Sequence, residues 1–323
     1  MQEQSYIPIA IEGIEPMAFP DVALYLKTGG NFVLYKSHGR DFSQLDADRL
    51  TSNKVEFLYV SPQDMDVINE YMEANVERFL KSEELTRTVK GKMIFQTSIN
   101  FINDLFSNPK KTNDSDRIRR LIENLLTYLS GDVRTLSTLE TVIAHNYHTF
   151  VHSLQVTALS IMIHSEAYML KHDEMMDVGI GTLLHDFGKT FLPDEILNKT
   201  GRLTEEEIAR FKRHPEEGYS YLKENTNLND IALAIVRMHH ERNNGNGYPR
   251  GIRGELIPRG AQVASACDFF CNMTMGRDGN KIMSPNICLH IMRHEMKGAF
   301  NEQILKALES IVCTDDTESN LPL

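Results

Sequence analysis

The stretch LLHDFGK, residues 183–189, joins the end of an apolar run to an adjacent histidine and aspartate. Imidazole and carboxylate are side chains that first-row divalent metal ions take as ligands. Neighbouring residues of a helix point about 100° apart, so His185 and Asp186 can share one ion only at a helix end or in a closely packed site. Alternatively, the carboxylate bridges two ions. Lys189 would point its ammonium toward the same pocket. By itself, the dipeptide also fits a helix C-terminus with a polar cap.

Further histidines and aspartates recur through the C-terminal half of the chain. A single histidine on an apolar helix is more often a core residue than a ligand, but so many positions at predicted helix ends or on apolar faces favour a metal site. Two adjacent ions can hold both the attacking and the leaving oxygen of a phosphoester. The candidate ligands are His152, His185, Asp186, His214, His239, His240 and Asp268.

Composition limits the class of protein. The 323 residues, with 41% hydrophobic and 24% charged side chains, predict an ordinary globular protein of about two domains. The net charge of −11 argues against a DNA partner, because a nucleic-acid surface needs a basic excess. No signal peptide and no apolar run long enough for a membrane helix is evident, so we expect a cytoplasmic protein without a membrane partner.

The four cysteines of the chain support the same compartment. Cys267 and Cys271 lie four residues apart beside Asp268 and would share a helical face. They form either a soft-metal site or, as is commoner, two buried reduced thiols.

Residues 1–115 predict a small α/β domain with a linking helix, which we interpret as regulatory or accessory. Short β-rich runs occupy residues 23–26, 31–35 and 55–60, and Ser61 or Asp64 would cap a helix that ends near Leu80. Residues 82–106 are helical in period. The polar, proline-containing stretch 107–115 is either a domain boundary or an interhelical loop.

Residues 116–315 are almost entirely helical in period, and residues 316–323 form a tail. The candidate ligands therefore lie on several helices, as in metal sites built inside helical bundles. The predicted fold class is mainly α: an all-α helical bundle as the C-terminal domain, preceded by the small α/β domain.

The order and spacing of these motifs resemble the HD-GYP phosphodiesterases, which are metal-dependent phosphohydrolases of the HD-domain superfamily. The shared motifs are HDFGK at 185–189, HPEEG at 214–218 and HHERNNGNGYP at 239–249, followed by Asp268. The resemblance implies an HD-type helical bundle. It also implies hydrolysis of cyclic di-GMP, a bacterial second messenger, to the linear dinucleotide pGpG, and a further step to GMP is left open.

The resemblance also implies roles for individual residues. His152, His185, Asp186 and Asp268 match ligands shared by HD-domain hydrolases, whereas His214, His239 and His240 match ligands that hold a second ion, with Asp186 bridging. Asp186 and Lys189 are the expected catalytic residues, and Lys189 and Arg277 match contacts to substrate phosphate. Tyr248 and Pro249 would shape the edge of the substrate pocket.

The expected cofactors are two divalent transition-metal ions, iron or manganese first, with zinc or nickel as alternatives. The expected partners are cyclic di-GMP and, through the loop of Tyr248 and Pro249, a diguanylate cyclase or another signalling protein. Whether the helical stretch 82–106 forms a homodimer or packs internally is left open.

Three departures from the family pattern are evident. His148 stands where some members use a carboxylate for a third ion, so a third ion, with His148 as ligand, is left open. Asn243-Asn244 replace an aromatic residue and an aspartate, and Cys271-Asn272 replace a frequent Asp-Ala. These changes keep open two alternatives: a metal-loaded cyclic-dinucleotide receptor with negligible turnover, and a hydrolase of another nucleotide such as a mixed cyclic dinucleotide.

Overall fold

The structure is a computed structural model that describes residues 6–83, 85–129, 148–199, 201–274 and 282–313, without the side chains of residues 7, 113 and 148–150. The chain forms two compact units. The first takes in the described residues up to Ile102, and the second takes in Asn103–Leu129 and the described residues from His148 onward. The predicted domain limits, 1–115 and 116–315, stay predictions, and the predicted tail lies outside the described residues.

The N-terminal unit contains a four-stranded antiparallel sheet in the order β1-β4-β2-β3. Gly29 and Gly30, both with positive φ, form the tight turn between β2 and β3. The strands are β1 (Ile7–Ala10), β2 (Leu24–Thr28), β3 (Asn31–Lys36) and β4 (Phe57–Val60). The three β-rich runs are confirmed as strands, and β1 was not predicted.

Three helices of this unit share a buried core with the strands of the sheet. They are α1 (Gln44–Ser52), α2 (Met65–Lys81) and α3 (Arg87–Ser107), of which α3 belongs to this unit up to Ile102. Leu24, Leu58 and Ile68 are among the fully buried core residues. Ser61 caps a short 3₁₀ turn before α2, whereas Asp64 makes no capping hydrogen bond.

The second unit is helical, and no strand occurs in its described ranges. Its helices are α4 (Ser115–Leu129), α5 (His148–Ala167), α6 (His172–Leu183), α7 (Asp194–Leu197), α8 (Glu205–Phe211), α9 (His214–Asn225), α10 (Asp230–Met238), α11 (Arg259–Thr274), α12 (Pro285–His290) and α13 (Glu302–Val312). A 3₁₀ helix, Phe187–Phe191, follows α6, and a π-helical turn, Ile291–Glu295, follows α12. The mainly α fold class with a small α/β part is confirmed.

Packing among α5, α6, α10 and α11 positions the candidate ligands. Helix α6 packs against α5 and α10, and α11 packs against α5 and α10. Val178 of α6, Ile235 of α10 and Ala264 of α11 form one buried apolar cluster. This cluster holds the three helices together, so the residues at the ends of α6 and α10 come close to α11. None of the helices in the described part of the chain combines the length and apolar character needed to span a bilayer.

Glycine at position 188 allows the 3₁₀ helix to contact the start of α9. A Cβ atom on Gly188 would lie 1.9 Å from the carbonyl oxygen of His214 and 2.7 Å from the amide nitrogen of Gly218. No larger residue fits at that distance without moving the backbone. Glycine therefore allows His214 to approach the His185-Asp186 turn.

Candidate metal centre

The structure brings all seven candidate ligands together as two neighbouring groups. In each group, one ligand atom of every residue lies within 4.8 Å of the ligand atoms of the others. The groups are Asp186, His214, His239 and His240, and His152, His185 and Asp268. They reach the site from α5, the turn after α6, the start of α9, the end of α10 and α11. The predicted clustering is observed, and the role of each residue as a ligand stays a prediction.

Asp186 lies between the two groups and presents one oxygen to each. Its Oδ2 lies 3.4 Å from Nε2 of His185 and 4.0 Å from Nε2 of His152. Its Oδ1 lies 3.3 Å from Nε2 of His214 and 3.8 Å from Nε2 of His239. A carboxylate whose two oxygens face different sets of imidazoles has the arrangement required to bridge two ions.

Backbone hydrogen bonds fix the orientation and tautomer of three histidines. In each, Nδ1–H donates to the carbonyl oxygen three residues earlier. Because a carbonyl only accepts, Nδ1 carries the hydrogen, and Nε2 of the neutral ring keeps its lone pair. Such a hydrogen bond behind the ring is usual for histidine ligands of metals. The pairs are His185 with Thr182 (2.7 Å), His214 with Phe211 (2.8 Å) and His239 with Val236 (2.9 Å).

These tautomers leave nitrogen lone pairs facing one another inside the cluster. The Nε2 atoms of His214 and His239 lie 3.3 Å apart, and both carry lone pairs when the rings are neutral. Three other buried atoms of the cluster, namely His185 Nε2, Asp186 Oδ1 and His240 Nε2, have no hydrogen-bond partner among the described atoms. An unsatisfied buried polar atom costs about 1–3 kcal/mol. Cations between these atoms would offset both the repulsion between facing lone pairs and the missing hydrogen bonds. The set of ligand atoms therefore fits divalent metal ions.

The protonation of the cluster also suits metal binding. Burial would raise the pKa of Asp186, but the Lys189 ammonium and the His185 ring outweigh burial and hold that pKa well below its usual range. Burial would likewise raise the pKa of Asp268, but His240 and His152 outweigh burial and hold that pKa well below its usual range. Burial, reinforced by neighbouring imidazoles, holds the pKa values of His239 and His240 well below the usual range. These carboxylates are therefore ionised and these rings neutral at neutral pH, as ligands must be.

The pKa values of His152 and His185 are shifted in opposite directions. Burial lowers the pKa of His152 although Asp268 pulls it upward. The pKa of His185 is raised despite burial, because the charge of Asp186 lies next to its ring. Without a bound cation, the charge of Asp186 thus favours the protonated form of His185.

Lys189, the predicted catalytic lysine, lies beside Asp186. The predicted substrate contacts Tyr248 and Pro249 lie in the loop that follows His240. Lys189 makes a short ion pair with Oδ2 of Asp186, and its ammonium lies 5.4 Å from the centroid of the Phe211 ring. Tyr248 stacks on His240 with ring centroids 4.5 Å apart, and the exposed Pro249 lines an adjacent cavity of about 1050 Å³. Their contacts to substrate stay predictions.

Two predicted positions are not described. Arg277 lies outside the described residues, so its contact with phosphate stays a prediction. His148 begins α5, but its side chain also lies outside the described part of the chain. The question of a third ion is therefore unchanged.

Glu241 has an organising role that the sequence did not predict. Its buried carboxylate accepts the amide hydrogens of Arg250 (2.8 Å) and Ile252 (3.2 Å), and its carbonyl oxygen accepts from the Ser265 hydroxyl (2.7 Å). Glu241 thereby ties the residues after α10 to the following loop and to α11, which carries Asp268. The one signal in the sequence was its place directly after the histidine pair.

The departures from the family pattern have visible consequences. Nδ2 of Asn272 donates to Oδ1 of Asp268 at 2.8 Å, so this asparagine contacts a candidate ligand. Oδ1 of Asn244 accepts the amide hydrogen of Asn246 at 3.1 Å and so retains the turn that an aspartate would make there.

The cysteines beside Asp268 are buried thiols. Burial raises the pKa of Cys267 to about 12 and that of Cys271 well above its usual value. Neither belongs to a metal-capable group within the described residues. The structure favours the commoner of the two alternatives, buried reduced cysteines.

Comparison with known proteins agrees with this geometry. A model of the HD domain family matches residues 137–304, just over half of the chain. The cyclic di-GMP phosphodiesterase PA4108 of Pseudomonas aeruginosa is 33% identical over 165 residues, which cover 51% of this chain and 39% of that protein. This chain is an HD-GYP member of the HD-domain family.

Two further relatives of this HD-GYP chain are also named as phosphodiesterases of cyclic dinucleotides. The response regulator RpfG of Xanthomonas campestris pv. campestris, named a cyclic di-GMP phosphodiesterase, is 32% identical over 145 residues, 45% of this chain and 38% of that protein. The 3'3'-cGAMP-specific phosphodiesterase 1 of Vibrio cholerae is 32% identical over 166 residues, 51% of this chain and 38% of that protein. The HD-GYP chain thus matches less than half the length of these curated relatives.

A solved structure shares the fold over almost the whole HD-GYP chain. Bd1817, described as a HDG"Y"P protein from Bdellovibrio bacteriovorus, has a TM-score of 0.66 and 19% sequence identity, over 95% of this chain and 99% of that one. The fold is therefore shared along both units, including the N-terminal one, where the motifs give no guidance.

Proposed function

We propose that this HD-GYP protein hydrolyses cyclic di-GMP to linear pGpG, and onward to GMP, at a centre of two divalent transition-metal ions. The observation that carries the proposal is the position of Asp186, whose two oxygens face separate groups of imidazoles. The names of the relatives PA4108 and RpfG support cyclic di-GMP as the substrate.

The two groups divide the ligands between the ions. His152, His185 and Asp268 would hold one ion, His214, His239 and His240 the other, and Asp186 would bridge them. When bound, such a pair of ions generates a nucleophile from water at neutral pH and neutralises charge on the phosphoryl group. Iron or manganese is the expected metal, with zinc or nickel as alternatives.

The residues of the chain prepare this centre before substrate arrives. The hydrogen bonds from Nδ1 keep the Nε2 lone pairs of His185, His214 and His239 directed at the centre. Lys189 holds Oδ2 of Asp186 and places a positive charge beside it, where a phosphate oxygen would be stabilised. Arg277 is proposed as a second phosphate contact.

Turnover is the direct test of this function. The protein is purified anaerobically, its metals are quantified, and it is incubated with cyclic di-GMP while products are resolved chromatographically. We expect pGpG or GMP with the intact protein and none with Asp186→Ala. Two bound metals and measurable nucleotide binding without product would instead support a cyclic-dinucleotide receptor that signals through the loop of Tyr248 and Pro249 to a diguanylate cyclase or another signalling protein.

A second candidate substrate is 3'3'-cGAMP. It is favoured by a specific observation, the 32% identity to two Vibrio cholerae proteins named 3'3'-cGAMP-specific phosphodiesterases. Parallel assays with cyclic di-GMP and 3'3'-cGAMP separate the two, because the preferred substrate has the higher kcat/KM.

A further inference from the structure

A cavity of about 520 Å³ opens at one edge of the candidate metal centre. His240 is part of its lining and leaves 13% of its side chain exposed, whereas the side chains of His185, His214 and His239 have no exposed surface. Of the four histidines that follow His152 in the cluster, His240 is therefore the one that a ligand in this cavity would meet.

The charged residues that line this cavity are mostly basic. Lys212 and Lys297 are exposed and approach it from different segments, Lys212 from the end of α8 and Lys297 from the turn after the π-helical segment. Arg242 adds a third cation, and Glu295 is the one carboxylate among the described residues of the lining. Asn244, at a position where the family commonly has an aspartate, adds no negative charge. A lining of three cations and one carboxylate favours an anionic ligand.

An aromatic side chain connects the metal centre to this cationic region. Tyr248 stacks on His240 with an interplanar angle of 27°, and the ammonium of Lys212 lies 5.4 Å from the centroid of the same tyrosine ring. A nucleotide combines a phosphate with a planar base, and the cavity offers both cations and an aromatic ring. A phosphate held by two lysines gains charge-assisted hydrogen bonds that a neutral ligand lacks.

We propose that Lys212 and Lys297 bind the second phosphate of a dinucleotide, the one that is not cleaved. This inference rests on the proposed function, because it assumes a substrate with two phosphates. The metal centre takes the reacting phosphate, and the cavity beside His240 takes the other. The two lysines are thus determinants of substrate affinity and of the preference for dinucleotides over simple phosphodiesters.

The test compares two substrates on matched variants. Cyclic di-GMP carries two phosphates, and bis(p-nitrophenyl) phosphate carries one. For Lys212→Met and for Lys297→Met we expect KM for cyclic di-GMP to rise about tenfold, since a hydrogen bond to a charged group contributes about 1.5 kcal/mol. The rise for bis(p-nitrophenyl) phosphate should be several-fold smaller. Lys212→Arg and Lys297→Arg should recover most of the loss, and bound metal should match the wild type.

Lys223→Met serves as the control, because Lys223 is an exposed lysine of α9 that contacts Tyr219 and does not line the cavity. It should leave both substrates unaffected. An unchanged KM for cyclic di-GMP in the two methionine variants would overturn the inference. Equal losses with both substrates would also overturn it, because the lysines would then act at the reacting phosphate or on the fold.

A failure of the proposed function gives a different result. If the wild type binds cyclic di-GMP without cleaving it, the same variants are compared by isothermal titration calorimetry. A Kd weakened about tenfold in the methionine variants would still support the subsite, and an unchanged Kd would overturn it. A wild type that cleaves bis(p-nitrophenyl) phosphate but does not bind cyclic di-GMP would overturn both proposals.

Discussion

Two buried aspartates, one in each unit, show how a structural carboxylate differs from a candidate ligand. Oδ2 of Asp46 accepts from the amide and hydroxyl of Ser43, and its Oδ1 accepts from the Tyr35 hydroxyl and from Arg40. Burial would raise the pKa of Asp46, but the hydrogen bonds from Ser43 and Arg40 outweigh burial and lower it to about 2. Every lone pair of this carboxylate is thus directed at a donor within its own unit.

Asp186 is also buried, and its pKa is also low, yet its oxygens are not satisfied in the same way. Oδ2 pairs with Lys189, whereas Oδ1 has no hydrogen-bond partner among the described atoms although two imidazoles lie within 4 Å. Burial and a shifted pKa are therefore common to both aspartates. What distinguishes the candidate ligand is an oxygen without a hydrogen-bond partner that faces two imidazoles.

The largest expected effect comes from removing the carboxylate of Asp186. Removal of the Asp46 carboxylate is the comparison. Asp186→Ala should lose bound metal and lower turnover by roughly 10³-fold or more, because it would remove the proposed bridging ligand. Asp46→Asn should keep the metal content and kcat of the wild type. Metal analysis and steady-state kinetics measure both variants. Two tightly bound ions in Asp186→Ala would contradict the bridging arrangement.

The next effect concerns the contact that positions His214. Gly188→Ala places a Cβ 1.9 Å from the carbonyl oxygen of His214, so the 3₁₀ helix and α9 must separate. We expect a loss of about 2–3 kcal/mol in the free energy of unfolding and a deficit of bound metal. Gly201→Ala is the control, because a Cβ there meets no atom of the described residues within 4 Å. Denaturant unfolding and metal analysis would detect the difference. Equal stability and metal content in the two variants would show that the contact is not needed.

A smaller effect, on the free energy of unfolding, is expected from replacing Asp46, the aspartate whose oxygens already accept hydrogen bonds. The folded-state pKa of Asp46, about 2, lies below its usual value of 3.8, so its stabilisation is fully present above about pH 4 and is lost as the pH falls toward 2. Asp46→Asn should cost about 1–2 kcal/mol at pH 7, and the gap should narrow below pH 4. Urea unfolding at several pH values measures this gap. Asp48→Asn, on the exposed side of α1, should show none of it, and a gap independent of pH would rule out the ionised carboxylate as its cause.

The smallest expected effect tests the departure at Asn272. Its amide donates to Oδ1 of Asp268, and removing such a support behind a metal ligand typically lowers metal affinity about tenfold. Asn272→Ala should therefore require more metal for half-maximal activity while keeping kcat at saturating metal. Titration of the metal-depleted protein measures this shift. Asn225→Ala is the control, since within the described part of the chain its side chain bonds only the carbonyl of Tyr221 on the surface of α9. An unchanged titration curve for Asn272→Ala would mean that the hydrogen bond does not support the ligand.

Much of the fold could be predicted from local sequence. The alternating and β-branched runs that became β2, β3 and β4 carry their signal within a few residues, as do the helical periods of the second unit. Strand β1 was missed because Ile7–Ala10 is short and contains a proline, and it becomes a strand only by pairing with β4. Helix α1 was missed although the capping box of Ser43 and Asp46 marks its start.

The sequence by itself determined which side chains gather at the centre. Residue type and position at a helix end are local properties, so all seven candidate ligands could be named from the order of residues alone. Only the tertiary structure decided the individual contacts: which oxygen of Asp186 each imidazole faces, that Glu241 ties the loop to α11, and that Lys212 and Lys297 share a cavity with His240. These relations join segments far apart in the chain. They depend on how the helices pack, because residues that approach through packing leave no mark in the local sequence.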